Sequence, residues 1–247
     1  MSDIVIVSAA RTPVGSFNGS FTDMSAADLG SIAIKEAINR AKVKTSEVSE
    51  VIMGQVLTAS CGQNPARQAS INAGIPNEIT AYTINQVCGS GLRSIALGWQ
   101  SIMNDESEII VAGGQENMTQ APHCFHLRQT GKIGDAEMID SMIKDGIWDI
   151  FNGYHMGVTA ENVAEKWQIT RDQQDEMALN SQLKAEEAQK NGKFQKEIVS
   201  VPVQLKTGTV VVRDDEYPRH GCTLDNLKNL KPAFKKDGTV TAGNASG

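Results

Sequence analysis

The sequence predicts an α/β fold: a mostly parallel sheet with crossover helices, followed by an irregular α+β region. Three observations predict it. Apolar runs of strand length alternate with segments of helical periodicity through the first half, the pattern of parallel strands joined by right-handed crossovers. At 247 residues, 40% apolar and 21% charged, the chain is long enough to bury a large core and too apolar for disorder. After about Thr119 the alternation gives way to short pieces punctuated by Pro122, His123, Gly131, Gly134 and Gly153. Two domains are expected, residues 1–118 and 119–247.

The elements follow in order. Ile4-Val5-Ile6-Val7 is a continuous β-branched run, as expected of a strand buried on both faces. From about Ser25 to Ala41, Leu29, Ile32, Ala33, Ala37 and Ile38 recur at helical spacing behind an acidic first turn with Asp28. Val51-Ile52-Met53 is a second strand, and Pro65 suits the first turn of a helix running to Ala73. Tyr82-Thr83-Ile84 is a third strand. Leu92, Ile95, Ala96, Trp99, Ile102 and Met103 mark the apolar face of the next helix. Ile109 to Ala112 is a fourth strand, stopped by Gly113-Gly114. In the second half, residues 158–167 are expected to be helical. Thr170-Arg171-Asp172-Gln173 is a capping box that opens a long polar helix to about Lys190. The best stripe of that helix is Met177, Ser181, Ala185 and Ala188, small residues suited to close packing. Val199 to Val203 and Val210 to Arg213 are two short strands. The final residues, 239–247, have neither a polar tail nor a helix terminus, as expected of the middle of a longer chain.

Composition excludes several classes of function. There are 23 basic and 29 acidic residues, net −6, which argues against general nucleic-acid binding. No apolar run approaches the ~18 residues needed to span a bilayer, so no membrane partner is expected. The start lacks the basic segment and cleavage site of a signal peptide, which points to the cytoplasm. Cys61, Cys88, Cys124 and Cys222 are too widely spaced for a disulfide framework.

One segment stands out for chemistry. Asn85-Gln86-Val87-Cys88-Gly89-Ser90-Gly91-Leu92 joins a strand to a helix and places Cys88 in a sharp turn at the helix N-terminus. Unpaired N–H groups and the positive end of the helix dipole stabilise a thiolate there. The following glycines let a substrate carbonyl approach the backbone. This is the logic of a nucleophile elbow with cysteine as the nucleophile; the alternative is an inert core cysteine. A dinucleotide loop is disfavoured, because Ser94 stands where the third glycine belongs and no acidic residue ends the next strand. The groups His123-Cys124-x-His126 and His220-Gly221-Cys222 are too tightly spaced for common zinc patterns, so no metal is expected. Between Lys206 and Lys236, seven basic residues face four acidic ones, a local excess of 7 − 4 = +3. This is either a phosphate-facing patch or a solvated surface.

Taken together, six segments resemble the thiolase family, and within it the short-chain biosynthetic members. They are Ile6 to Pro13, Gly62 to Gln68, Asn85 to Leu92, Gly113 to Met118, Gly153-Tyr154-His155-Met156-Gly157, and Val240 to Gly247. The resemblance implies a layered αβαβα fold of two similar halves, with a loop domain inserted in the first. This chain is then the first half plus loop domain. It implies condensation of two acetyl-CoA molecules to acetoacetyl-CoA and CoA, or the reverse, by a homo-oligomer, dimer or tetramer, with CoA thioesters as substrates and no cofactor. Cys88 falls on the acylated nucleophile, and its backbone N–H on an oxyanion hole. His155 and Met156 resemble residues lining the pantetheine and acyl pocket, in the form that goes with short acyl groups. Arg219 resembles a contact to the ADP part of CoA. Phe234 and Ala242 resemble further CoA-pocket residues, and Ser246 a hydrogen-bonding residue for the pantetheine. The family's other catalytic groups lie in Gly-His-Pro, Asn-Glu-Ala-Phe and Cys-x-Gly motifs that these 247 residues do not contain. Residues 1–247 alone are therefore expected to be inactive, and to expose an apolar patch where the other half of the fold would supply cover. Two alternatives remain, a degradative 3-ketoacyl-CoA thiolase and a non-catalytic CoA-binding fragment.

Overall fold

The computed structural model describes residues 3–126, 135 and 137–246. Gly131, Gly134 and Gly247 lie outside them. In chain order the helices are α1 (Ala26–Ala41), α2 (Pro65–Asn72), α3 (Ser90–Met103), α4 (Met156–Lys166), α5 (Arg171–Lys190) and α6 (Leu224–Lys228). The strands are β1 (Glu50–Gly54), β2 (Thr80–Ile84), β3 (Ile110–Gly114), β4 (His123–Cys124), β5 (Ile139–Asp140), β6 (Trp148–Asp149), β7 (Tyr154–His155), β8 (Val201–Leu205) and β9 (Gly208–Val212). They form two compact units, Met1–Gly146 with Glu197–Asp214, and Ile147–Lys196 with Asp215–Gly247.

The first unit is built on a parallel sheet of order β2-β1-β3, with Glu50 in register with Thr80 and Ile110. The central strand carries the most apolar run, and Val51, Ile52 and Met53 are all but fully buried. Strand alternation sends Val51 and Met53 to one face. There they join Ile34 and Ile38 of α1 and Ala66 and Ala69 of α2 in one core. Ser25 caps α1 through a reciprocal pair with Asp28, and Asn64 caps α2 ahead of Pro65.

On the other face of the sheet, α3 lies with the small side inward. Ser90, Ser94 and Gly98 are buried, while Leu92, Ile95, Trp99 and Met103 are exposed. The apolar stripe read in the sequence is real, but the side that packs on the sheet is the one whose small residues permit close approach. The apolar patch therefore sits on the outer side of a helix.

Two strand readings need correction. Ile4–Val7 joins no ladder, and Val5, Ile6 and Val7 are 68%, 77% and 67% exposed. A β-branched run becomes a strand only where an edge accepts its backbone groups. This segment first pairs at Arg11, in a bridge with Ile198. Nor do the glycines stop the fourth strand: Gly113 and Gly114 are its last two paired residues. The β8–β9 hairpin packs Val201 and Val203 on Phe21 and Leu29 in a second, smaller core.

In the second unit the hairpin β6–β7 leads directly into α4, and α5 follows after a short turn. Thr170 and Gln173 form the expected capping box. The expected stripe of α5 does not face inward, since Met177 is 76% exposed and Ser181 is also exposed. The residue of this helix that is fully buried is Asp175.

Candidate active site

Parallel strands deliver their loops to one edge of a sheet, outside the carboxyl ends, where α/β proteins place their ligands. Cys88 stands there, in the loop from β2 to α3, and its side chain is exposed. The loop is tied down locally. The Val87 N–H bonds Asn85 Oδ1 at 2.8 Å, and the Gln86 N–H bonds Ser90 Oγ at 2.8 Å. Ser90 Oγ in turn donates to the Val87 carbonyl at 2.5 Å. Val87 has φ 50°, an unfavourable value for a β-branched residue. The sharp point of the turn is thus the residue before the cysteine, and Cys88 precedes the helix cap, Gly89. The N–H groups of Gly89 and Ser90 are spent on the carbonyls of Gln86 and Val87, both at 3.1 Å. The expectation of unpaired amides around the thiol is corrected to that extent.

A glycine at the end of β1 permits this arrangement. A Cβ on Gly54 would lie 2.5 Å from the Ser90 Cβ and 2.6 Å from its carbonyl carbon, so any side chain there would push α3 off the sheet. Ser94 Oγ completes the seat by donating to the Gly113 carbonyl at 2.9 Å.

The loops beside Cys88 are bolted by side chains to which the sequence reading gave no role. Glu116 accepts hydrogen bonds from the Val56 and Leu57 N–H groups at 2.8 and 3.2 Å. Burial pushes its carboxyl above the usual carboxylate range, against the pull of those two bonds. Gln115 donates to Gln55 at 2.9 Å, and Gln55 to the Leu57 carbonyl at 2.9 Å. Polar residues directly after the end of a buried strand were the available signal. Cys61 lines a separate cavity of about 230 Å³, its thiol 3.4 Å from the Leu57 carbonyl.

In the second unit, His155 caps α4: its Nδ1 accepts the Gly157 N–H at 2.9 Å. The same ring stacks on Phe234, with centroids 4.9 Å apart and planes 20° from parallel. Gly157 makes room, because a Cβ there would lie 2.3 Å from the Phe234 ring. The run His155-Met156-Gly157 is therefore a cap, an exposed thioether and a gap for an aromatic ring.

Ala242 and Ser246, both exposed, sit on a loop anchored from below. Buried Glu161 accepts the Thr239 N–H at 2.9 Å, the Val240 N–H at 2.8 Å and the Thr239 hydroxyl at 3.1 Å. Burial works to raise its carboxyl, but those bonds and the Lys235 charge outweigh it and hold it below the usual range. Asp175 pairs with Arg171 at 2.8 Å and accepts from Asn244 Nδ2 at 2.8 Å. Arg219 is exposed on another loop, its N–H bonded to Gln182 Oε1 at 2.8 Å.

The structure thus brings His155 and Phe234 into contact and sets Met156 beside them in sequence. Arg219, Ala242 and Ser246 stand on loops of the same unit, and Cys88 belongs to the other unit. The +3 segment divides between the two units. Lys206 and Arg213 fall in the first unit, while Lys228 lies 3.9 Å from Asp172 and Lys235 3.9 Å from Glu165. Among the described residues, no helix is long and apolar enough to cross a membrane, and no group of His, Cys, Asp and Glu could hold a metal ion.

A family model described as "Thiolase, N-terminal domain" matches residues 4–247. The acetyl-CoA acetyltransferase of Rhizobium meliloti (strain 1021) is 62% identical over 244 residues, covering 99% of this chain and 62% of that protein. The cytosolic acetyl-CoA acetyltransferase of Rattus norvegicus is 54% identical over 246 residues, covering 99% of this chain and 62% of that protein. The crystal structure of the Bacillus anthracis acetyl-CoA acetyltransferase superposes with a TM-score of 0.95 at 38% identity, over 98% of this chain and 62% of that one. The chain thus spans about 62% of the length of these relatives.

Proposed function

The chain belongs to the thiolase family, and on that premise we propose that it serves reversible acetyl transfer between two acetyl-CoA molecules, giving acetoacetyl-CoA and CoA. The observation that carries the reading is the setting of Cys88: an exposed thiol on a hydrogen-bonded turn at the carboxyl edge of a parallel sheet. In this reading the Cys88 thiolate attacks the thioester carbonyl of acetyl-CoA. The bond from acetyl carbon to CoA sulfur breaks, CoA leaves with a proton, and acetyl-Cys88 remains. The proton that leaves with CoA is the one Cys88 gave up, and a second acetyl-CoA then loses an α-proton that ends on the Cys88 sulfur when the thiol is re-formed. The resulting carbanion attacks the acetyl carbonyl, forming the new carbon–carbon bond and releasing Cys88. The oxyanion uses the Cys88 N–H, as the family resemblance implies, and the Gly89 and Ser90 amides, bonded within the turn, hold that loop in place.

His155 and Met156 line the pantetheine and acyl pocket, Phe234 and Ala242 are further residues of the CoA pocket, Ser246 hydrogen-bonds the pantetheine, and Arg219 meets the ADP part of CoA. The stacked His155–Phe234 pair supports a flat, rigid wall at the acyl end. The chemistry runs on CoA thioesters with no cofactor. The assembly is a homo-oligomer, a tetramer in this reading, and the cytosolic rat relative supports a cytoplasmic location.

The test is incubation with acetyl-CoA, followed by acid quench and mass mapping. The proposal expects slow acetylation, limited by the missing base, that reaches one acetyl group per chain on the Cys88 peptide, is removed by added CoA on the same slow timescale and is absent from Cys88→Ala. An acetyl group on Cys61, Cys124 or Cys222 in its place contradicts it.

A further inference from the structure

Helix α5 has 20 residues and an inward side that is largely polar. Its spacing is helical, and each polar residue on that side holds a loop. Gln174 donates to the Thr239 hydroxyl at 2.9 Å, and Asp175 accepts from Asn244 at 2.8 Å. About two and three turns further on, Gln182 accepts the Arg219 N–H at 2.8 Å and Glu186 the Gly221 N–H at 3.0 Å. Gln189 then meets His220 Nε2 at 2.6 Å and donates to the Asp215 carbonyl at 2.9 Å. The two loops held in this way carry Arg219 on one side and Ala242 and Ser246 on the other.

We propose that α5 is the positioning element of the CoA site: Gln182 and Glu186 set the Arg219 loop, and Asp175 sets the loop of Ala242 and Ser246. The inference rests on the reading of those three residues as CoA contacts. The argument is one of preorganisation. Arg219 is exposed at its loop surface, so its guanidinium is useful to a phosphate only if the backbone beneath it is fixed. Side chains of α5 supply that fixation at residues 219, 220 and 221 in succession.

The experiment measures dissociation constants of the 247-residue chain for CoA and for pantetheine, which lacks the ADP part. Gln182→Ala and Glu186→Ala are expected to weaken CoA by ~5-fold, the worth of about one hydrogen bond, and to leave pantetheine within ~2-fold. Glu186→Gln keeps an oxygen for the Gly221 N–H and is expected to restore CoA binding. Asp175→Asn is expected to weaken both ligands, and if it fails to fold, the Gln182 and Glu186 arms still decide. Equal loss of both ligands in Gln182→Ala overturns the proposal, because a merely structural role does not distinguish them. Arg219→Ala separates the two levels. If it leaves CoA binding unchanged, the reading of the site fails and this inference with it. If it weakens CoA while Gln182→Ala and Glu186→Ala do not, only the positioning role fails.

Discussion

Single positions decide local properties in each unit, thiol exposure at Cys88 and ring packing at Gly157. Cys88 is exposed, whereas Cys61, Cys124 and Cys222 are partly buried, and the Cys61 thiol is already hydrogen-bonded within its own loop. Limiting iodoacetamide is expected to label Cys88 first, read by peptide mapping; earlier labelling of any of the other three contradicts the assignment. Gly157 acts through space. A methyl group there would displace the Phe234 ring and break its stack on His155. Gly157→Ala is expected to lower stability by ~1–3 kcal/mol, the usual cost of overpacking, as measured by denaturant unfolding. An unchanged midpoint would mean that the ring moves freely.

At the level of elements, unit 2 relies on a carboxylate. Glu161 is held below the usual range in the fold, against an ordinary value of 4.5. A group so depressed contributes stability that is present above its unfolded value and lost as pH falls through the folded one. The gap in thermal midpoint between wild type and Glu161→Gln is therefore expected to be full at neutral pH and to shrink as pH drops below 4.5. A gap that stays constant through the acid range contradicts this role. The same residue marks where sequence reading stops. Helices α1 to α5 were legible because capping signals and apolar periodicity are local; Ser25 with Asp28 and Thr170 with Gln173 announce their helices within four residues. The inward side of α5 was not legible, because Gln182, Glu186 and Gln189 carry no apolar signal and their partners lie 26 to 37 residues away. Ile4–Val7 misled for a related reason: strand propensity is local, but a ladder partner is not. Cys88 was legible as a candidate, since the segment from Asn85 to Leu92 places it in a turn at a helix N-terminus followed by glycines. The sharp turn was legible too, but not that Val87, the residue before the cysteine, carries its left-handed backbone.

For the molecule as a whole, the outward stripe of α3 is the main consequence. Leu92 is 76% and Trp99 52% exposed, beside Ile95 and Met103. A contiguous apolar face of that kind drives association. Purified residues 1–247 are expected to self-associate with rising concentration in sedimentation velocity, and Leu92→Asp with Trp99→Asp to suppress it. A wild-type chain that stays monomeric across the range contradicts this.

The central claim is a division of labour. In the proposed reading these residues supply the nucleophile and the CoA contacts, while the Gly-His-Pro and Cys-x-Gly motifs that the family resemblance ties to proton movement are not among them. A general acid or base is worth ~10²–10⁴-fold in rate, so lacking two leaves little turnover. The direct measurement is CoA-dependent loss of acetoacetyl-CoA, using purified residues 1–247 of verified mass beside an intact thiolase. The account predicts a rate at least ~10⁴-fold below that of the intact enzyme. Comparable kcat values would contradict it, and would mean that a base within these residues, His155 first, activates Cys88.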